Sequence, residues 1–243
     1  MNVEGAAALV TGANRGLGAA IAQALLDAGA TVYGAARDNT SITNRDVIPI
    51  RLDVTSDDDI ADAARTCGDV SLVVNNAGIL RSSTSLAPGA VDAARAEMET
   101  NFIGPMRMAR AFAPVLRDNG GGALVNVLSV LSFMSMPQGA TYSASKAAAW
   151  SLTNALRIEL RRQGTLVVAV HAGFIDTDMA AAVSAAKISP QSVAAQIVAA
   201  IEADAEEVLA DPTSEAVKAA LPNDLTALYP ALQEQWDAEA ISR

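Results

Sequence analysis

The sequence predicts an α/β fold built on a doubly wound parallel sheet, and three observations lead there. Valine- and leucine-rich runs recur along the chain, helix-period segments separate them, and a glycine-rich turn joins the first run to the first helix. Most of the runs are apolar along their whole length. A strand of that kind is buried on both faces, which requires helices on both sides of the sheet.

The runs are Ala6 to Thr11, Thr31 to Ala36, Ile48 to Asp53, Ser71 to Asn75, Ala123 to Leu128, Leu166 to His171 and Val208 to Ala210. After the first, Leu17, Ile21, Leu25 and Ala28 share one helical face. Between the second and third lie only Arg37 to Val47, too little for a crossover helix, so a loop or short turn is expected. Asp57-Asp58-Asp59 fits a helix start, where the dipole favours acid. Met98, Phe102, Met106, Ala109 and Ala113 share a face before the fifth strand. No Pro/Ser-rich linker or charge block divides the 243 residues, so residues 1–243 read as one domain.

Composition excludes several functions. A net charge of −10 and a pI near 4.5 leave no basic footprint for nucleic acid. Cys67 is the sole cysteine, so no disulfide forms within the chain, and no Cys/His cluster has metal-ligand spacing. The uncharged stretch Asn119 to Ser145 contains three glycines in a row, Asn126 and Pro137, which rules out a membrane helix. With a strand beginning at Ala6 and no basic leader, the expected location is the cytoplasm.

In Gly12-Ala13-Asn14-Arg15-Gly16-Leu17-Gly18 a strand ends, the backbone turns and a helix begins. The free N–H groups of that helix start suit a pyrophosphate. Gly12 permits the turn, Gly16 lets the backbone approach phosphates, and Gly18 lets helix and strand close up, with Asn14, Arg15 and Leu17 in the same cradle. The end of the second strand chooses between cofactors. Counting about twenty residues on from Gly18 reaches Asp38, which favours NAD(H). The strand itself finishes at Ala36, so Arg37 is the next residue facing the ribose, with Arg15 nearby. Two guanidiniums make a clamp for a 2′-phosphate, so NADP(H) is preferred and NAD(H) is the alternative.

Tyr142 and Lys146 stand at i and i+4 on one helical face, and Ser129 follows the strand Ala123 to Leu128 at the carboxyl edge where such sheets bind ligands. A phenol ionises near pH 10, and bringing it to pH 7 requires about 4 kcal/mol. One ammonium about 4 Å away, at an effective dielectric near 20, supplies about that much. Tyr142 then exchanges a proton with a carbonyl oxygen that Ser129 also hydrogen-bonds, so both residues touch substrate. Asn101 precedes Pro105 by four residues inside a helical pattern. Proline has no N–H for the Asn101 carbonyl, which is left free to hold a water serving Lys146.

Taken in order, Thr11-Gly12-x-x-x-Gly16-x-Gly18, Asp53-Val54, Asn75-Asn76-Ala77-Gly78, Asn101, Ser129, Tyr142-x-x-x-Lys146 and Gly173 to Thr177 resemble the short-chain dehydrogenase/reductase family over nearly the whole chain. The resemblance implies a Rossmann-type sheet of seven strands and a catalytic tetrad of Asn101, Ser129, Tyr142 and Lys146. It further implies that Asp53 and Val54 flank the adenine, Asn76 and Ala77 line the ribose, Ile175 and Thr177 meet the nicotinamide, and Lys146 also binds the nicotinamide ribose. Homodimers or homotetramers are usual in the family. The helix bearing Ala147 to Trp150, Leu152 and Leu156 is apolar on more than one side, as a subunit contact would require.

Two positions depart from the pattern. Leu128 stands where serine or glycine is usual, and Ala172 replaces a proline before Gly173, which leaves the segment to Thr177 less rigid. The expected activity is hydride transfer between NADP(H) and a carbonyl or secondary alcohol of a small apolar substrate. An NAD-dependent alcohol dehydrogenase governed by Asp38, or a dinucleotide-binding sensor without chemistry, are the alternatives. His171 is not expected to act as a base, nor Cys67 as a nucleophile. Phe133, Met134 and Met136, with Leu80 and Met179, suit either a pliable substrate pocket or the core.

Overall fold

A computed structural model describes residues 1–241 of the protein. Seven strands form: β1 (Ala7–Thr11), β2 (Thr31–Ala36), β3 (Ile48–Arg51), β4 (Leu72–Asn75), β5 (Ala123–Val127), β6 (Leu166–His171) and β7 (Glu207–Leu209). They pair in parallel in the order β3-β2-β1-β4-β5-β6-β7. The chain runs outward from β1 to β3, then returns to place β4 on the other side of β1. That reversal opens a crevice above the carboxyl ends of β1 and β4.

Helices α1 (Gly16–Asp27), α2 (Asp57–Thr66), α3 (Ala90–Met98), α4 (Gly104–Asp118), α5 (Ala140–Glu159), α6 (Pro190–Glu202), α7 (Pro212–Ala220), α8 (Asp224–Ala227) and α9 (Tyr229–Ile241) complete the fold. Alternate residues of one strand serve opposite layers. Ala8 and Val10 of β1 join Ile21 and Leu25 of α1 and Val193 and Ile197 of α6. Leu9 faces the other way, with Ile60 of α2, Met108 and Phe112 of α4, and Leu156 of α5. Each of the larger of these side chains contributes about 1.5–3 kcal/mol on leaving water, so the two layers fix the sheet from both sides.

The short link from β2 to β3 is a single 3₁₀ turn, Asn39–Ser41, as its length requires. The helix before β5 differs from expectation. Its buried line runs through Glu97, Asn101, Gly104, Pro105, Met108, Ala109 and Phe112; of the expected face only Ala109 is buried, while Met98, Phe102, Met106 and Ala113 are half-buried. A π turn over Glu99–Ile103 joins α3 to α4, with the Gly104 N–H reaching back to the Glu99 carbonyl. The wider turn shifts the phase, so a constant 3.6 period misplaces most of the buried face.

Candidate active site

The crevice is lined first by the turn from β1 to α1. Gly12 has φ +67° and Gly16 φ +54°, conformations that L side chains rarely adopt. At Gly18 the constraint is contact: a Cβ there would collide with the Gly12 carbonyl oxygen and lie 2.5 Å from Asn76 Nδ2. Thr11 stitches the turn to the loop after β4. Its hydroxyl donates to the Val74 carbonyl and accepts the N–H groups of Asn76 and Ala77, each at 3.0 Å, while Asn76 Nδ2 donates to the Thr11 carbonyl at 2.9 Å. Arg15, the N-cap of α1, makes no side-chain cap, so the helix start keeps its N–H groups for an anion. A dinucleotide pyrophosphate fits this cradle.

At the ribose end, Asp38 turns inward on its own loop, accepting from the Thr40 N–H at 3.0 Å and the Thr40 hydroxyl at 2.6 Å. Arg37 is exposed beside it, and its charge bears on Asp53. Burial opposes ionisation of Asp53, yet the Thr55 N–H and hydroxyl, helped by Arg37 and Arg51, hold its carboxyl below the usual range. Val54 is buried and fills the space at Gly104, where an added Cβ would lie 3.0 Å from its Cγ2. Arg15 reaches Asp178 at 3.1 Å, an exposed pair that contributes about 0–1 kcal/mol.

Ser129 begins the 3₁₀ turn after β5. Its Oγ accepts the Leu131 N–H at 3.1 Å, and its own N–H donates to Ser132 Oγ at 3.2 Å. Its carbonyl meets His171 Nδ1 at 3.1 Å. A carbonyl only accepts, so the His171 proton lies on Nδ1, and burial holds the ring neutral by pulling its pKa to about 4. His171 therefore props Ser129 and stacks on Phe133 at 4.0 Å. Phe133 belongs to this packing, against Trp150, rather than to an open pocket. Met179 stands out 53% exposed at the rim. Cys67 is buried with its thiol pushed up to about 12, hence unreactive.

Tyr142 faces Ser129. Burial pushes the phenol up to about 12, the Ser129 hydroxyl pulls the other way, and the charge of Glu97 adds to the rise. Lys146 is buried, which draws its ammonium down to about 8; Nζ donates to the Val127 carbonyl at 2.8 Å and lies 5.7 Å from the centre of the Tyr142 ring. Acidification of the phenol by Lys146 is expected where the ammonium sits close. In this fold the ammonium is held by a carbonyl, and burial acts on both groups against charge.

Asn101 is 1% exposed inside the π turn. Its side chain, which sequence reasoning left without a task, accepts from the Ile79 N–H and donates to the Ile79 carbonyl, both at 2.9 Å, and donates to Ser145 Oγ at 3.0 Å. Ser145 Oγ in turn donates to the Tyr142 carbonyl. Gly78 sits where a Cβ would lie 3.2 Å from Asn101 Oδ1 and 3.7 Å from Lys146 Nζ, so the loop after β4 rests on both.

On the far wall, Ile175 bridges to Ile188, and Thr177 Cγ2 would lie 3.2 Å from a Cβ at Gly16. The Gly173 N–H donates to Asp211 at 2.6 Å, and the Ala172 carbonyl accepts from the Val130 N–H at 2.8 Å. Asp211 also caps α7. Only its place one residue before Pro212 hinted at a cap; nothing in the sequence linked it to Gly173. Among the described residues no group of His, Cys, Asp and Glu could hold a metal, and no helix is long and apolar enough to cross a membrane.

A seven-stranded parallel sheet with this crevice and this Ser, Tyr and Lys grouping defines a dinucleotide-dependent oxidoreductase fold. A family model for the short chain dehydrogenases matches residues 6–188, and the chain belongs to the short-chain dehydrogenase/reductase family. It is 34% identical over 194 residues to a 3-oxoacyl-(acyl-carrier-protein) reductase of Vibrio harveyi, covering 76% of this chain and 79% of the relative. An uncharacterized oxidoreductase of Staphylococcus aureus is 31% identical over 208 residues, covering 80% and 90%. Among solved structures, a Burkholderia cenocepacia short chain dehydrogenase in complex with NADP matches with TM-score 0.91 and 40% identity, covering 96% of this chain and 99% of that one. A Burkholderia phymatum family member in complex with NAD shares the fold, with TM-score 0.84 at 23% identity, covering 93% and 95%.

Proposed function

We propose that the protein, acting as one domain over residues 1–243, is an NADP(H)-dependent oxidoreductase that interconverts a carbonyl and a secondary alcohol on a small apolar substrate, with Tyr142 as the acid/base. The observation that carries this reading is the Ser129 hydroxyl set against the Tyr142 phenol, with Lys146 buried one helical turn on. In reduction Tyr142 gives its proton to the substrate oxygen, and Ser129, whose Oγ accepts from Leu131, donates its own hydrogen to the same oxygen. A nicotinamide bound over the glycine turn supplies the hydride. Lys146, on leaving the Val127 carbonyl for the nicotinamide ribose, brings its charge towards the phenol. Asn101 holds the floor of the site through Ile79 and Ser145, and its backbone carbonyl offers a place for a water that returns the proton.

NADP(H) is favoured over NAD(H) because the Asp38 carboxylate is taken up by Thr40, leaving Arg37 exposed at the strand end. Arg15 is held only by a weak surface pair that a 2′-phosphate displaces. The NADP complex of the Burkholderia cenocepacia relative supports the same choice. Around the cofactor, Asn14, Leu17, Asn76, Ala77, Asp53, Val54, Ile175 and Thr177 take the positions the family pattern implies. The reading places a homodimer or homotetramer in the cytoplasm, joined through the outer face of α5, where Ile158 is 77% exposed. The test mixes the enzyme with NADPH or NADH and a panel of ketones, aldehydes and alcohols. Cofactor turnover with at least one carbonyl, at an NADPH KM at least about tenfold below that for NADH, is expected. No turnover in either direction overturns the reading.

A further inference from the structure

Ser129 is held from behind by His171, and the second nitrogen of that ring is a group the chemistry above does not use. The residues on either side of Ser129 are tied to β6 by backbone: the Leu128 N–H donates to the Val170 carbonyl and the Val130 N–H to the Ala172 carbonyl, each at 2.8 Å. Between those two carbonyls stands His171, and its side chain meets Ser129, with Nδ1 on the Ser129 carbonyl at 3.1 Å. That bond exists only while the neutral ring carries its proton on Nδ1. Nε2 is then bare, sealed inside the fold and without a hydrogen-bond partner among the described residues.

Across from Nε2 stands Glu207, at the start of β7, with its Oε1 3.9 Å away. A free carboxylate at that place draws the ring proton. Were the proton to move from Nδ1 to Nε2, the ring would donate to Glu207, and Nδ1 would become an acceptor facing the Ser129 carbonyl, which also only accepts. The carboxylate is not free, because Lys218 of α7 donates from Nζ to the same Oε1 at 2.7 Å. The ammonium also lies 4.8 Å from the centre of the Phe133 ring and 5.3 Å from that of Trp150, and attraction to both rings fixes it there. Phe133 stacks on His171, and Trp150 sits on α5 one turn after Lys146. α7 packs on β7 and on the 3₁₀ turn that Ser129 begins.

We infer that Lys218 and Glu207 are positioning residues that act on the reaction through His171: by engaging the Glu207 carboxylate, Lys218 keeps the imidazole proton on Nδ1, and that proton holds Ser129 where its hydroxyl meets the substrate oxygen. The inference rests on Ser129 as a donor to that oxygen. Both residues stand outside 6–188, the stretch that the family model matches. A neutral side chain in place of the ammonium frees the carboxylate, and the proton moves to Nε2. Ser129 then loses a donor to its carbonyl and keeps only the Ser132 N–H there.

His171 is the sole histidine, so protein labelled with nitrogen-15 histidine reports this ring alone. Spectra taken at about pH 8, above the ordinary histidine range, compare wild type, Lys218→Met, Lys218→Arg and the double variant Lys218→Met with Glu207→Leu. Wild type is expected to show a proton on Nδ1 and a bare Nε2. In Lys218→Met the proton appears on Nε2, and kcat falls about tenfold with the NADPH KM unchanged, a smaller loss than the roughly 10²–10³-fold of deleting such a donor outright. Lys218→Arg keeps the cation and the double variant removes the competing carboxylate, so both return Nε2 to its bare state and kcat close to the wild-type value. Recovery in the double variant separates this role from packing, because that protein has lost more of the contact than Lys218→Met. A protonated Nε2 in wild type, a bare Nε2 in Lys218→Met, or a kcat that the second substitution lowers further overturns the inference. If wild type turns over no substrate, the proposed function fails, and the Nε2 signal still decides whether the pair places the ring proton.

Discussion

Gly18→Ala puts the cofactor cradle under direct strain. The new methyl group would press on the Gly12 carbonyl oxygen and lie 2.5 Å from Asn76 Nδ2. Carbon atoms at rest keep about 3.5–4.0 Å from their neighbours, so α1 must retreat from β1 and β4 by about 1 Å. Overpacking of this kind costs about 1–3 kcal/mol. If Asn76 also loses its bond to the Thr11 carbonyl, about 1 kcal/mol more is lost. At roughly 2–4 °C per kcal/mol for a chain of this size, Tm falls by about 5–15 °C. The same movement spoils the phosphate cradle, so NADPH binding weakens at least about tenfold, a change worth about 1.4 kcal/mol. Thermal unfolding followed by circular dichroism and a fluorescence titration with NADPH read both effects. The control is Gly5→Ala: φ is +79° there, and no atom lies within 4 Å of the added methyl group, so only the backbone cost of about 1–2 kcal/mol remains. A Gly18→Ala protein that melts within about 2 °C of wild type and binds NADPH normally would refute the close contact of helix and strand.

Three further outcomes are expected. Arg37→Ala raises the KM for NADPH about tenfold or more and barely moves that for NADH; equal effects on both would sink the phosphate clamp. His171 has its folded pKa near 4, below its ordinary 6.5, so the stability it contributes is complete above pH 6.5 and is lost as pH falls towards 4. The loss is about 3 kcal/mol, and urea titrations from pH 7 to 4 should show a shallower decline in His171→Asn. Lys146 has its folded pKa near 8 against 10.5, so below pH 8 the fold carries the full cost of a buried ammonium. Lys146→Met therefore melts a few degrees higher at pH 7 while losing turnover, and a lower Tm would contradict the assigned cost.

The sheet was legible because strands buried on both faces carry an unbroken apolar run, which survives any detail of packing. The glycine turn was legible for a related reason: Gly12, Gly16 and Gly18 each answer a local constraint of dihedral or contact. Three features were not. The π turn at Glu99–Ile103 shifts the helical phase, and a periodicity argument assumes a constant pitch. Asp211 reaches Gly173 across 38 positions, a link that only folding creates. Lys146 and Tyr142 share a helical face as their spacing requires, but spacing does not reveal that the Val127 carbonyl takes the ammonium.

The central claim is that Tyr142 passes the proton that accompanies hydride transfer. Single-turnover oxidation of bound NADPH by a ketone or aldehyde, compared in wild type and Tyr142→Phe, measures that step with binding already complete. The account predicts a fall of about 10²–10⁴-fold in the rate of that step with NADPH affinity unchanged. A mutant that oxidises the cofactor at the wild-type rate would contradict it.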